Sequence, residues 1–349
     1  MAIARAELRA AIDRFPRTGL ADLPTPLHDC PRFSAALGGK VRVLIKRDDL
    51  TGLAFGGNKT RKFDLALGDA VARGATAVIT GAASQSNHAR QAAAAAAKLG
   101  MKCVLVNRHD QRSQMGMQGN QLLDNILGAD VRLVADGVNQ NQVKEEVVEE
   151  LQAQGETPYL IAQRAAALGV VAYVGCVLEI AAQLEAMDLE ADFICTASAH
   201  GTQAGLALGV KALELPLRVQ GFAPSKGDAA QRQAGQAEIA NEAAALMALD
   251  VRLAAGEFDN TDAYVGESYG VVSAAGLDAV QLLARTEGIL LDPVYTSKAV
   301  AGVIDRIRRE EIPAGSTLVY LHTGGTPALF AYAPELIAHG GYQQNIVRA

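Results

Sequence analysis

The chain has no tryptophan, only 5% aromatic residues and four cysteines in 349 residues. Scarce aromatics leave single-stranded nucleic acid little to stack on. The mixed charges, net -6, offer no basic stripe for a phosphate backbone. Cys30, Cys103, Cys176 and Cys195 form no C-x-x-C pair and no histidines cluster with them. That pattern argues against a zinc site or a disulfide framework and for reduced, buried thiols, with no metal expected. The opening MAIARAELRAAIDRF is charged throughout and has no apolar h-region. The longest apolar run, 167–178, is closed by Glu179 and reads as too short to span a membrane. These absences lead to the expectation of a cytoplasmic protein. Half the residues are hydrophobic, enough for the core of one large domain or two modest ones.

What is present is alternation. Short apolar runs at 41–46, 76–80, 102–107, 130–134, 192–198, 217–223 and 317–323 read as strands. Alanine-rich or amphipathic stretches at 89–100, 116–128, 143–154, 275–287 and 299–310 read as helices. Strand–helix alternation of this kind predicts an α/β fold with open, twisted parallel sheets and flanking helices. Glycines and small residues gather where strands end, the edge at which such sheets bind ligands.

Two motifs mislead. GLAFGGNKT, 52–60, nearly spells a phosphate-binding loop, but Asn58 separates Gly57 from Lys59, so the spacing is off by one, and no strand runs directly into it. GESYG, 266–270, matches G-x-S-x-G, and Asp292 and His322 follow Ser268 in hydrolase order. A serine hydrolase using Ser268 is thus a reading from another class, although the polar DNTDAYV before it makes a poor strand for a nucleophile elbow.

The stretch GGNKTRKF, 56–63, carries a different chemistry. Glycines allow close backbone approach, and a lysine at a helix start, in a buried or electropositive setting, has a lowered pKa suited to Schiff-base formation. A solvated basic helix start is the plain alternative. Three strand–loop–helix junctions accompany it: TGAASQSNHARQ with Ser86, Asn87 and His88, TASAHGTQAGLALG, and LHTGGTPALFAY. Helix N-termini and small-residue loops of this kind accept carboxylates and phosphates, although Ser86 or Asn87 could equally be only an N-cap. One lysine with three anion-friendly loops suggests an aldehyde cofactor bearing a phosphate beside an amino-acid carboxylate.

With these segments in order, nearly the whole chain resembles the fold-type II pyridoxal-phosphate enzymes of the D-cysteine desulfhydrase and 1-aminocyclopropane-1-carboxylate deaminase group. The resemblance runs from LPTPLHDCPRFSAALG and IKRDDLTGLAFGGNKTRKFDLAL through SQSNHARQAAAAAAKLGM to YGVVSAAGLDAVQLLARTEGILLDPVYTSKAVAGVID and LHTGGTPALFAY. It implies pyridoxal 5'-phosphate as cofactor and Lys59 as Schiff-base lysine and base near Cα, with Asn58 beside it at the cofactor. It implies Lys62 on the phosphate, Asn87 on the pyridoxal O3' and a phosphate loop of Ala199, His200, Gly201 and Thr202. Ser86, Asn87 and His88 would receive the substrate carboxylate, Tyr269 and Tyr295 would flank the substrate with Thr296 also at the substrate site, and Thr323 would face the pyridine nitrogen. The implied reaction removes the Cα proton and a Cβ leaving group and ends in pyruvate and ammonia.

Ring-opening deaminases of the group carry Glu and Leu where this chain has Thr296 and Thr323. That favours D-cysteine desulfuration, with L-cysteate or a larger acidic β-substituted amino acid as alternatives. Departures at Arg164, where a small residue is expected, and at His200 leave two readings: that one of them reads an extra acidic group on a larger substrate, or that Arg164 is a surface side chain on a drifted loop. The resemblance also implies a homodimer and two domains, residues 1–60 with 160–349 and an inserted 61–159.

Overall fold

The computed structural model describes residues 3–342. Its strands are β1 (Leu27–Asp29), β2 (Arg42–Lys46), β3 (Ala77–Thr80), β4 (Lys102–Arg108), β5 (Asp130–Val134), β6 (Pro158–Leu160), β7 (Phe193–Ala197), β8 (Arg218–Phe222), β9 (Asp259–Thr261) and β10 (Thr317–Leu321). They form two sheets. One is ordered β1-β2-β10-β7-β8-β9 and is parallel except for β1; the other, β5-β4-β3-β6, is wholly parallel. All seven strands expected from apolar runs are present. The three that were not expected, β1, β6 and β9, are three-residue edge strands, too short to carry a period.

Helices fill the connections: α1 (Arg5–Asp13), α2 (Pro31–Ala36), α3 (Asn58–Ala72), α4 (Asn87–Leu99), α5 (Gly119–Ile126), α6 (Gln140–Ala153), α7 (Gln163–Ala186), α8 (Gly201–Ala212), α9 (Ala229–Leu246), α10 (Ala274–Glu287), α11 (Thr296–Arg308), α12 (Ala328–Ala331) and α13 (Ala333–Gly340). Central strands such as β3 and β7 are buried along their whole length, as parallel strands covered on both faces must be. The alanines 92–96 are buried in α4, and all but Ala94 join the core cluster of Val78 and Leu105, since a methyl face lets a helix lie close to a sheet.

The apolar run at 167–178 belongs to α7, a 24-residue helix long and apolar enough, by length and composition, to cross a membrane. The expectation that it is too short is therefore corrected. Within this fold 83% of its most apolar window is buried, with Val170, Val174 and Val177 in the same core cluster as Leu206 and Leu208 of α8. The α7–α8 approach depends on glycine: a Cβ on Gly205 would lie 2.5 Å from the Val170 carbonyl oxygen, and one on Gly209 2.8 Å from Val177.

Topology places the site. The registers Leu321↔Lys46 and Leu321↔Thr196 align the carboxyl ends of β2, β10 and β7. The loops leaving these ends, with the loop leaving β3, supply the walls of one cleft.

Candidate active site

The start of α3 is held by its glycines. Gly56 has φ 62° and Gly57 φ 125°, both in the region that side chains avoid. The Gly57 N–H donates to the Asp48 carbonyl at 3.0 Å and to Thr51 Oγ1 at 2.8 Å. Asn58 N–H donates to the Thr323 carbonyl at 3.0 Å, joining the helix start to the loop after β10. Side chains brace the same turn from α4. Gln91 Oε1 accepts from Thr60 N–H at 2.6 Å, and the Gly56 carbonyl accepts from the Gln91 amide and from Arg90 Nη2, the latter at 2.9 Å.

Lys59, the second residue of α3, faces a cavity of ≈ 250 Å³. Its ammonium donates to Asn58 Oδ1 at 3.2 Å, and burial lowers its pKa to about 8. Lys62 lines the same cavity one turn on, its Nζ 5.4 Å from the Tyr173 ring centroid. Burial, and then the charge of Lys59, push its pKa well down, and no carboxylate pairs with it among the described residues. Burial, then Lys59 and Lys62, also lower the His88 imidazole to about 3, so it is neutral. No carboxylate lines this cavity among the described residues, so its cations await an anion from outside.

At the N-terminus of α4, Ser86 Oγ caps the helix by accepting from the N–H groups of His88 and Ala89 at 3.1 and 3.2 Å. Its own proton is what it can still offer the cavity. Asn87 Oδ1 accepts from Asn120 Nδ2 at 2.9 Å, leaving the Asn87 amide N–H group as its donor. Thr80 Oγ1 lies 2.8 Å from His88 Nε2. Arg90, Gln91 and Asn120 escaped the sequence reading, although polar side chains heading a run of buried alanines were a signal that something polar lay beside that helix.

The third junction is the start of α8. His200 precedes it with φ -146°, Ser198 Oγ accepts from the N–H groups of His200 and Gln203, and Asn58 Nδ2 donates to Thr202 Oγ1 at 3.1 Å. Ala199, His200, Gly201 and Thr202 all line the cavity. Tyr295 and Thr323 line it as well. The Tyr295 hydroxyl lies 2.5 Å from that of Tyr269, and burial first keeps both phenols above their usual pKa. The Thr323 hydroxyl has no protein partner among the described residues.

Residues 19–324 match the family described as pyridoxal-phosphate dependent enzyme. The chain belongs to this family. D-cysteine desulfhydrase of Salmonella newport is 39% identical to this enzyme over 332 residues, 93% of this chain and 98% of that protein. 1-Aminocyclopropane-1-carboxylate deaminase of Burkholderia ambifaria is 40% identical over 338 residues, 94% and 99%. A crystal structure described as an ACC deaminase homologue superposes with TM-score 0.85 at 36% identity, covering 95% and 99% of the two chains. O-ureido-L-serine synthase, at 17% identity and TM-score 0.62, shares the fold alone.

The residues present in this pyridoxal-phosphate enzyme fit the cofactor. They supply a lysine that loses its proton near neutral pH, an unpaired cation beside the N-terminus of α8 for a phosphate, and a side-chain amide donor on Asn87 for a phenolate oxygen.

Other expectations fail on geometry. Thr296 is buried and spent on Asp292: its N–H and hydroxyl donate to Asp292 Oδ1 at 2.8 and 2.7 Å, and it does not line the cavity. Arg164 lies in the first turn of α7 rather than in a drifted loop, and its guanidinium forks onto Asp69 with Nη2–Oδ1 2.9 Å, outside the cavity lining. Asp69 spends its carboxylate there, so Arg164 reads no substrate acid. The hydrolase constellation also dissolves. His322 uses both ring nitrogens on backbone groups, the Leu290 carbonyl and the Gly324 N–H. Asp292 accepts from the N–H groups of Val294, Tyr295 and Thr296. Ser268 stands in an exposed loop without an elbow.

Proposed function

We propose that this enzyme catalyses β-elimination from a small amino acid, with D-cysteine, converted to pyruvate, ammonia and sulfide, as the favoured substrate. The observation that carries this reading is Thr323, a neutral hydroxyl without a protein partner in a cavity lined by no carboxylate among the described residues. When bound, pyridoxal phosphate supplies an aldehyde for the substrate amine and an electron sink for Cα. Thr323 would stand at its ring nitrogen as a neutral hydroxyl with no acidic proton to give, which would leave the sink modest and favour elimination of a β-substituent.

Within that frame Lys59 holds the cofactor and, with a pKa of about 8, takes the Cα proton near neutral pH. Lys62 and the segment Ala199, His200, Gly201 and Thr202 hold the phosphate, with Asn58 bracing that segment through Thr202. The Asn87 amide donates to the ring oxygen. The N-terminus of α4, with the Ser86 proton and the neutral His88, orients the substrate carboxylate. Tyr295, in contact with Tyr269, would be the neutral hydroxyl beside the departing sulfur.

We read the two sheets as two domains, residues 1–60 with 160–349 and the inserted 61–159, with the cavity between them. A cytoplasmic homodimer is the assembly and location assigned to it; four free, buried thiols suit a reducing compartment, and sedimentation of the purified protein tests the dimer.

The deciding experiment measures pyruvate, ammonia and sulfide from D- and L-cysteine, β-chloroalanine, cysteate, serine and 1-aminocyclopropane-1-carboxylate. Wild type and Ser268→Ala are expected to release sulfide from D-cysteine, and Lys59→Ala none. Ring opening of the cyclopropane substrate with no sulfide from either cysteine would overturn the reading.

A further inference from the structure

Lys298 is the third residue of α11 and is 2% exposed. No carboxylate pairs with it among the described residues. The position suits a cation poorly. The first turn of a helix holds the positive end of its dipole, and a buried ammonium without an ion-pair partner is costly. Burial lowers its pKa, and Asp292 opposes that only at a distance, since the Asp292 carboxylate is taken by the N–H groups of Val294, Tyr295 and Thr296. A methionine of similar length would fill the space without these costs, so the charge itself needs an explanation.

What the ammonium binds is backbone. It donates to the carbonyl oxygens of Val265 at 2.7 Å and Ser268 at 3.1 Å. Both belong to 262–273, the irregular segment between β9 and α10. Residues 266–269 of that segment are exposed, and Gly266 and Gly270 turn at φ 75° and 77°. From 265 to 271 the backbone makes one hydrogen bond to itself among the described residues, from the Val271 N–H to the Ser268 carbonyl at 3.4 Å. The segment is therefore shaped by what grips it from outside. The Tyr332 hydroxyl donates to the Gly270 carbonyl at 2.8 Å. Tyr295, the N-cap of α11, meets Tyr269 hydroxyl to hydroxyl, with the two rings edge to face. Lys298 lies one turn on from Tyr295, so α11 holds the segment at two points on one face. Tyr295 lines the cofactor cavity and Tyr269 does not.

We propose that Lys298 is a positioning residue for the reaction: its ammonium is a built-in cation that folds 265–270 onto α11 and thereby sets Tyr269 against the Tyr295 hydroxyl. This rests on the reading of Tyr295 as the hydroxyl beside the departing sulfur and deepens it. A phenol O–H turns about one torsion, and the partner that Tyr269 provides decides where the Tyr295 proton points. The G-x-S-x-G match finds its use here as well, because Ser268 contributes its carbonyl and not its hydroxyl. The segment is exposed, so its carbonyls can turn to water when the ammonium is removed. Loss of the charge should loosen the segment and leave the fold standing.

The test compares the cofactor-loaded wild type with Lys298→Met, Tyr269→Phe and the double variant. Melting curves, amide hydrogen exchange and steady-state kinetics with D-cysteine are measured. Lys298→Met should melt at or above the wild-type temperature, because an apolar side chain replaces a buried charge. Its amides at 265–270 should exchange about tenfold faster while those of α11 and the sheets are unchanged. Its kcat should fall about tenfold with KM little altered, the pattern of a group that matters after binding. Added to Tyr269→Phe, the same substitution should cost nothing further, since both act through one contact. Unchanged exchange at 265–270, faster exchange with full activity, or losses that multiply in the double variant would each overturn the proposal. A wild type that releases no sulfide would overturn the β-elimination reading instead, and the exchange comparison would still decide whether Lys298 ties the segment down.

Discussion

Gly57→Ala tests whether the turn before Lys59 is shaped by sterics as well as by φ. An alanine Cβ at φ 125° would stand 2.3 Å from Gln91 Nε2 and 3.1 Å from the Thr323 carbonyl oxygen. The backbone conformation alone costs about 1–3 kcal/mol. Gln91 cannot retreat freely, because it is fully buried and its amide is tied to Thr60 and Gly56. Each bond it gives up costs about 0.5–1.5 kcal/mol. A total of about 4 kcal/mol follows. With unfolding entropy of about 2.1 cal/mol/K per residue over 349 residues, that lowers Tm by about 6 °C. The displaced turn also moves Lys59, and a misplacement of about 1 Å is expected to reduce kcat/KM roughly 100-fold. Gly74→Ala is the matched control. Gly74 also has positive φ, 71°, but a Cβ there meets nothing within 4 Å, so a loss of about 1–2 kcal/mol with unchanged activity is expected. Melting curves and steady-state sulfide release read both quantities. If Gly57→Ala and Gly74→Ala match in Tm and in kcat/KM, the steric argument is wrong.

Two further perturbations follow from buried charge. Arg61→Met removes a guanidinium that is 2% exposed and pairs with Asp48 at 2.8 Å and Glu179 at 2.6 Å; denaturant unfolding should show a loss of about 3–5 kcal/mol. Burial opposes ionisation of both carboxyls, yet Arg61 holds them below their usual range, so the gap between variant and wild type should narrow as pH falls through that range. Lys59→Met should be more stable than the wild-type apoprotein at pH 7, because burial holds the folded Lys59 at about 8, below its ordinary 10.5. The unfolded chain binds the extra proton between those values, so wild-type stability rises there and the variant's advantage should shrink from pH 8 to 10.5.

The long-range architecture was legible because its signals are periodic. Apolar runs such as VRVLIK and TLVYLHT became central strands that lie side by side and end together above the cavity. What was lost were elements whose formation depends on neighbours. The three-residue edge strands take their conformation from the ladder they join. The run at 167–178 was read as too short because no turn residue marks where its helix begins or ends: from Gln163 and Arg164 to Gly175 the chain has alanines, valines, one leucine and one tyrosine, with two glycines that packing tolerates. The same helix disposed of Arg164. One residue along, Ala165 is buried, while Arg164 is thrown to the outer face where Asp69 waits one layer away.

The site residues divide by the same logic. Lys59, Ser86, Asn87, His88, Gly201 and Thr202 were legible because each stands at the start of a helix that follows a strand, so sequence order placed them at one edge. Thr296 and Ser268 misled because they also sit near helix starts or glycines, and only the partners of their hydroxyls and neighbours tell capping from chemistry. Arg90, Gln91 and Asn120 show the converse. They do not line the cavity that Lys59 faces, yet their side chains fix the carbonyl of Gly56 and the amide of Asn87 from behind. Such supports have no motif, since the geometry that selects them joins segments 30 or more residues apart.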